Sequence, residues 1–222
     1  MVWGLVESSS FGDYFPDGDY VGWEEAIKRY FDEEMTTEQR AAFDHWDVSY
    51  RSEVARKFNE DMGPLEPHER PNEYRLIKTY QSLGALIELN NRLLAVSEPL
   101  KDIIEALEPG VHQFWPIRIT MPKGKEYPTP YYGLRIGRFL DSFLPEQSED
   151  YRSPPDIKTY YANSYTKKGY ACLCVAESVA AGCHLWRERW LRQPKILFSD
   201  DLMADVERRA LRFPKHHKLK AI

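Results

Sequence analysis

The first third of the chain alternates between turn-rich segments and apolar positions at helical spacing. Residues 1–6 (MVWGLV) predict a first strand. Residues 23–34 (WEEAIKRYFDEE) predict an amphipathic helix, because their apolar side chains recur at three- and four-residue intervals. Thr36 and Gln39 have the spacing of a capping box. The apolar positions that follow keep to one side, so the pattern predicts a single second helix that runs to about Asn59.

From Tyr74 onward the chain consists of short apolar runs separated by Gly and Asn, which is typical of strands. Ser97 can cap the helix that follows, and Pro109 with Gly110 predicts the end of that helix. The centre of the sequence is therefore expected to combine short strands with one amphipathic helix.

Residues 111–120 (VHQFWPIRIT) predict a strand with Trp115 on one face and Phe114 on the other. This strand is expected to pair with residues 131–137 (YYGLRIG). Pro116 has no N–H to donate to a ladder, so the strand is predicted to lie at a sheet edge or to contain a bulge.

The last third contains two apolar runs, residues 170–177 (YACLCVAE) and 195–199 (KILFS), and each predicts a buried strand. Ser199 is expected to cap a helix, and residues 211–215 (LRFPK) predict a last short strand. The pattern as a whole predicts an α+β fold with a mixed, mainly antiparallel sheet, flanking helices and an N-terminal helical portion. Residues 1–73 are expected to form an acidic, mainly helical region that packs with an α+β core over residues 74–222.

Charge is distributed unevenly over the 222 residues. Residues 1–73 carry 18 acids and 7 bases, a net charge of −11, whereas residues 183–222 carry 5 acids and 10 bases, a net charge of +5. An acidic front repels nucleic acid and attracts a basic protein. The basic tail, which includes His216 and His217, is expected to be a solvated end.

Targeting signals and cysteine usage indicate the compartment. The N-terminus lacks the basic and apolar regions of a signal peptide, and residues 169–186 are too polar to span a bilayer. Three clustered cysteines without a signal peptide favour reduced thiols. We therefore expect a cytoplasmic protein without a membrane partner.

Common catalytic and nucleotide-binding motifs are missing: the sequence has no G-x-G-x-x-G, G-x-x-x-x-G-K-[ST], G-x-S-x-G or H-E-x-x-H. The residues that could bind zinc are Cys172, Cys174, Cys183 and His184, but a C-x-C pair in an apolar strand is more typical of buried thiols. A Cys–His nucleophile would lack an orienting third group. The sequence predicts no metal and no cofactor.

Carboxylates alternate with aromatic side chains in the acidic front. The simplest interpretation of these interleaved side chains is a solvent-exposed face. It is also suited to block a basic cleft, because aromatic residues can anchor a partner and carboxylates speed encounter. The candidate binding residues are Asp13, Asp17, Asp19, Trp23, Glu24, Glu25, Asp32, Glu33 and Glu34.

Two further segments resemble a known family. Residues 97–119 contain a short helix that ends at Glu-Pro-Gly and a His-Gln-Phe-x-Pro strand. Residues 170–218 contain His-Leu-Trp-Arg, then a strand, a Ser-Asp helix cap and a final Arg-Phe segment. The order and spacing of the residues in both segments resemble those of a family of bacterial immunity proteins from polymorphic toxin systems, family eleven in the immunity nomenclature.

The resemblance implies a small cytoplasmic protein that binds and neutralises the toxin encoded beside it, by stoichiometric occlusion and without catalysis. The matching positions are His112, Gln113, Phe114, Pro116, His184, Leu185, Trp186, Arg187, Phe198, Ser199 and Asp200. Because a family signature is shared among members that face different toxins, these residues are expected to be structural. Binding specificity is expected in residues 7–73, where the chain departs from the family.

Two alternatives stay open at this stage. One is an enzyme of unrecognised type that uses His112 and His184 in one cleft. The other is a general adaptor that has no toxin partner. Assembly also stays open, since exposed aromatic side chains could support a homo-oligomer.

Overall fold

The computed structural model of the protein describes residues 1–155, 158–162, 166–192 and 195–222. The chain forms two compact units. The first unit comprises Met1–Ser9, Pro99–His112 and Ile136–Ile222, and the second comprises Ser10–Glu98 and Gln113–Arg135. The predicted division between residues 73 and 74 falls inside the second unit and stays a prediction.

Within these ranges the chain forms seven α-helices and fourteen strands. The helices are α1 (Trp23–Arg29), α2 (Thr37–Arg40), α3 (Arg51–Lys57), α4 (Glu98–Leu107), α5 (Lys167–Ala171), α6 (Glu177–Ala180) and α7 (Asp200–Arg208). The strands are β1 (Val2–Leu5), β2 (Gly18–Tyr20), β3 (Glu73–Leu76), β4 (Leu86–Glu88), β5 (Leu94–Ser97), β6 (Gln113–Thr120), β7 (Tyr131–Arg135), β8 (Phe139–Leu140), β9 (Tyr151–Arg152), β10 (Tyr161–Ala162), β11 (Cys174–Val175), β12 (Leu185–Glu188), β13 (Lys195–Ser199) and β14 (His216–Ala221).

The second unit is built on a six-stranded sheet with the order β2-β3-β6-β7-β5-β4. The β3–β6 pair is parallel and the other pairs are antiparallel. Apolar side chains from α1 and α3, including Ile27 and Val54, join Trp115 and Ile117 of the sheet in one buried cluster. The apolar side chains of the helices and those of the sheet thus form one common core.

The first unit contains a second six-stranded sheet, with the order β11-β14-β1-β13-β12-β8. Its end pairs, β11–β14 and β12–β8, are parallel and the remaining pairs are antiparallel. Its buried cluster includes Tyr170, Trp186 and Leu197. Both sheets are mixed and mainly antiparallel, which confirms the predicted α+β class.

The predicted strand over residues 111–120 is β6, and it pairs with β7 as expected. It does not lie at the sheet edge, because β3 pairs with its other side from Arg118 onward. Pro116 lies opposite Tyr132 of β7, in the half of the strand that β3 does not reach. A residue without an N–H is tolerated there because only one neighbouring strand requires hydrogen bonds.

The predicted long helix from Thr36 to Asn59 is wrong. The Thr36–Gln39 capping box is present, but α2 ends at Arg40. His45 is extended, and its N–H and carbonyl both bond to the Ser49 hydroxyl, at 3.2 and 2.6 Å. This local bonding replaces helical hydrogen bonds, so a new helical segment starts at Trp46.

Three predictions for the last third also need correction. Tyr170 and Ala171 belong to α5, so the apolar run at residues 170–177 contributes only the short strand β11. The final strand is not residues 211–215 but β14, which pairs with β1 and β11. The tail is therefore part of the sheet rather than a solvated end, and the His216 ring contacts the ring of Trp3. By contrast, β13 and the Ser199 cap of α7 are confirmed.

Among the described residues, no helix is both long and apolar enough to cross a bilayer.

Candidate functional site

A surface pocket of about 680 Å³ lies in the second unit, beside β2 and the start of α1. It brings together four of the predicted binding residues, Asp19, Trp23, Glu24 and Glu25. A pocket of this volume is within the range of ligand-binding clefts. The remaining lining residues are Phe15, Tyr20, Val21, Gly22, Arg51, Arg75, Asn90 and Asn91.

The charged groups of this acidic pocket are partly neutralised by their neighbours. Arg51 forms an ion pair with Glu24 at 2.6 Å, and Arg75 lies 3.5 Å from Glu73. Asp19 accepts hydrogen bonds from the Tyr20 N–H and the Asn90 amide. Glu25 is exposed, and within the part of the chain that the structure describes no hydrogen bond or ion pair engages its carboxylate. Asp19 and Glu25 therefore keep negative charge available at the pocket rim.

The aromatic side chains in the wall of the pocket are held by ring and hydrogen-bond contacts. The rings of Tyr20 and Trp23 pack with centroids 5.2 Å apart, and the Tyr20 hydroxyl donates to the Asn90 carbonyl at 2.6 Å. Burial, with the nearby hydroxyl of Tyr74 and the carboxylate of Asp19, raises the pKa of Tyr20 well above its ordinary value. Tyr20 therefore remains a neutral donor at physiological pH.

Trp23, a predicted binding residue of the aromatic kind that can anchor a partner, is buried. Its side chain is 3% exposed, and its indole N–H donates to the Glu69 carbonyl at 2.8 Å. Trp23 cannot enter a partner's surface without opening the core, so it supports the pocket from within.

The other predicted acids do not line this pocket. Asp13 and Asp17 are half-buried in the loop before β2. Asp32, Glu33 and Glu34 are exposed on a π-helical turn that continues α1, where Asp32 pairs with Lys28. The predicted set is thus divided among a pocket, the loop before β2 and an exposed helical turn, all in the same unit.

Glu108 is a buried carboxylate of the first unit and accepts several hydrogen bonds there. It accepts from His112 Nε2 at 2.9 Å, from Arg138 Nε at 2.9 Å and from the Leu185 N–H at 2.8 Å. Burial would raise the pKa of Glu108, but the hydrogen bond and electrostatic attraction from His112, with main-chain hydrogen bonds from His184 and Leu185, hold it below its ordinary value. Sequence reasoning missed Glu108, although its position four residues before His112 was a usable signal.

His112 and His184 do not form the open catalytic pair that the enzyme alternative requires. The His112 side chain is fully buried, and its second ring nitrogen accepts from the Gly137 N–H at 3.2 Å. His184 instead lies 2.9 Å from the Ser199 hydroxyl and lines a separate pocket whose wall does not include His112. With both nitrogens bound and no exposure, His112 cannot reach a substrate.

Several of the remaining resemblance positions are buried or hydrogen-bonded within the protein. Gln113 accepts from the Leu65 N–H at 2.9 Å and donates to the Leu65 carbonyl at 2.8 Å. Trp186 and Arg187 are buried in β12, and Asp200 accepts from the Trp3 indole at 2.7 Å. Phe114 is half-buried and Pro116 is exposed.

The residues that were considered as zinc ligands and judged more typical of buried thiols are not grouped around one point. Cys174 lies in β11, whereas Cys172 lies in the turn after α5, and no group of His, Cys, Asp or Glu suited to a metal is found in the part of the chain described. Burial raises the pKa of Cys183, so its thiol stays protonated.

Comparison with protein families matches residues 24–220 to the description Immunity protein family (Imm11). A search of curated proteins gives no significant match. The matched region includes residues 24–73, which corrects the expectation that all of the acidic front departs from the family. Because the match covers well over half of the sequence, the chain belongs to the immunity protein family Imm11.

Proposed function

We propose that this protein binds a cognate bacterial toxin and neutralises it by stoichiometric occlusion, protecting the cell that produces both. Membership of the immunity family carries the proposal. The toxin is a protein encoded by the neighbouring gene, and the complex forms without catalysis, nucleic acid or membrane.

The acidic pocket in the second unit is the proposed toxin-binding surface. Its aromatic wall, in which Tyr20 contacts Trp23 and Asn90, supplies a preformed shape, and its rim carboxylates supply attraction for a basic surface. Preorganised binding sites lose little conformational entropy on association, which favours tight complexes. Glu33, on the exposed turn that follows α1, extends the acidic character of this unit.

Co-expression with the neighbouring gene tests the proposal. The toxin alone should stop growth, and co-expression should restore growth and yield a stoichiometric complex on purification. Rescue without a complex would contradict occlusion and indicate an activity that reverses the damage.

Charge reversal tests the surface. The double variant Glu25→Arg/Glu33→Arg should weaken toxin affinity by roughly tenfold, since both side chains are exposed and the partner is expected to be basic. The matched control is Glu146→Arg/Glu149→Arg, which makes the same charge change at exposed residues of the first unit. Equal affinities of the two variants would exclude the acidic pocket as the binding surface.

A further inference from the structure

A small β-surface of the first unit carries exposed aromatic and basic side chains. The strands β9 and β10 pair with each other, and β10 continues a segment that bonds to residues 190–192. There the Tyr160 N–H donates to the Trp190 carbonyl at 2.7 Å, and the Tyr160 carbonyl accepts from the Arg192 N–H at 2.8 Å. One face of these paired segments is covered, because Tyr160 and Leu191 pack in the apolar cluster of the unit. The proposed function does not use the opposite face.

The alternation of side chains places four exposed residues on that opposite face. Arg152 lies directly across from Tyr161 in the β9–β10 register, so their side chains share a face. Trp190 and Arg192 flank the buried Leu191, so both point outward. The Arg192 guanidinium lies over the Tyr161 ring at 4.7 Å. The rings are 38% (Tyr161) and 37% (Trp190) exposed, and these four residues form what we call the arginine–aromatic face.

The positive charge of the arginine–aromatic face is not compensated. Within the ranges that the structure describes, neither Arg152 nor Arg192 has a carboxylate partner. Arg189, by contrast, pairs with Asp141 at 2.7 Å, and exposed Lys158 adds further positive charge before β10. Arginine, tyrosine and tryptophan are the side chains most enriched at protein interfaces and at their energetic centres. This composition favours a protein partner with an acidic surface.

A matching acidic surface is present on the same chain. Glu25 and Glu33 are exposed on α1 and on the turn that follows it, and neither carboxylate has an ion-pair partner among the described residues. A basic toxin would be repelled by Arg152 and Arg192, and so would the same face of another copy. Nucleic acid is disfavoured because the chain has a net charge of −5 and because Arg192 already covers one side of the Tyr161 ring.

We infer that the arginine–aromatic face binds the acidic surface around Glu25 and Glu33 of a second copy of this chain. The two arginines pair with the two carboxylates, and the aromatic rings supply apolar contact area. The interface joins two unlike surfaces, and each copy carries both of them. The contact needs no toxin, so the inference is independent of the proposed function.

Sedimentation equilibrium of the purified full-length protein, without toxin, tests the inference. In about 50 mM salt the average mass should rise above that of the monomer as the protein concentration increases. In about 500 mM salt it should return toward the monomer mass, because screening weakens attraction between exposed charges. A wild-type protein that stays monomeric at low salt over roughly a hundredfold range of concentration would overturn the inference.

Charge reversal locates the contact. Arg152→Glu/Arg192→Glu should weaken self-association by at least about tenfold, because carboxylates would then face carboxylates. The matched control is Lys215→Glu/Lys220→Glu, which makes the same change of charge at two exposed lysines of the same unit and should still associate. Equal association of the two variants would show that the arginine–aromatic face is not the contact.

Mixing two variants gives the sharpest test. Glu25→Arg/Glu33→Arg and Arg152→Glu/Arg192→Glu should each be monomeric alone. Their mixture should associate, because the first retains the arginines and the second retains the carboxylates, and this result also shows that both variants fold. A mixture that stays monomeric would overturn the inference.

A labelled single-stranded oligonucleotide examines the competing class of partner. Its fluorescence anisotropy should stay unchanged when the wild-type protein is added. Binding that Arg152→Glu/Arg192→Glu abolishes, in a wild-type protein that remains monomeric, would assign the face to nucleic acid instead. None of these outcomes alters the proposed function, which is measured by toxin binding and rescue of growth.

Discussion

At the scale of single residues, Glu108 connects three segments that are distant in sequence. It receives hydrogen bonds from His112, Arg138 and the Leu185 main chain, and its side chain is nearly fully buried. Glu108→Gln removes the charge and replaces an acceptor oxygen by a donor. We expect a loss of roughly 2–4 kcal/mol in the free energy of unfolding, measured by urea denaturation, because a buried network loses one partner.

The stabilisation of the fold by the Glu108 carboxylate depends on pH. Because the folded-state pKa of Glu108 is lowered, its ionised form stabilises the fold above the ordinary carboxyl pKa. That stability disappears as pH falls through the folded-state value. The difference between wild type and Glu108→Gln should therefore be constant near neutral pH and shrink below about pH 4. A difference that grows in acid would contradict this assignment.

At the scale of elements, β1 is placed between β13 and β14 and packs closely against α5. A Cβ added at Gly4 would lie 2.1 Å from a ring carbon of Tyr170. Gly4→Ala should therefore lower the free energy of unfolding by about 1–3 kcal/mol, the usual cost of overpacking. Gly12→Ala is the control, since an added Cβ there meets nothing within 4 Å. Equal thermal midpoints for the two variants would show that α5 adjusts freely.

Elements with a strong local signal were predictable from sequence. The amphipathic α4, the cap of α7 and the β6–β7 pair rest on spacing and turn residues that operate over short distances. The break after α2 was missed because hydrogen bonds between Ser49 and His45 override an uninterrupted apolar pattern. The strand β14 was missed because its sequence, HHKLKA, is polar and owes its conformation to pairing with β1.

At the scale of the whole molecule, long-range pairing limits what the sequence can predict. Each unit is assembled from separate stretches of chain, and β1 pairs with strands almost two hundred residues away, as in the pairing of Val2 with Ser199. Periodicity identifies strands but does not select their partners. The same limit applies to the pockets. The acids at residues 19–25 were found as a charge pattern, whereas Arg51 and Arg75 reach that pocket only through the fold.

The charge of the whole molecule leads to the last prediction, on association kinetics. The acidic front has a net charge of −11 within a chain of −5, so its field should steer a basic toxin. We expect the association rate to fall severalfold between about 50 and 300 mM salt, as the Debye length shortens from roughly 14 to 6 Å, with little change in the dissociation rate. Stopped-flow mixing measures both rates. Glu25→Arg/Glu33→Arg should show a shallower salt dependence than Glu146→Arg/Glu149→Arg, because only the former reduces the charge of the acidic front. Identical salt dependence in both variants would mean that encounter is directed by another surface.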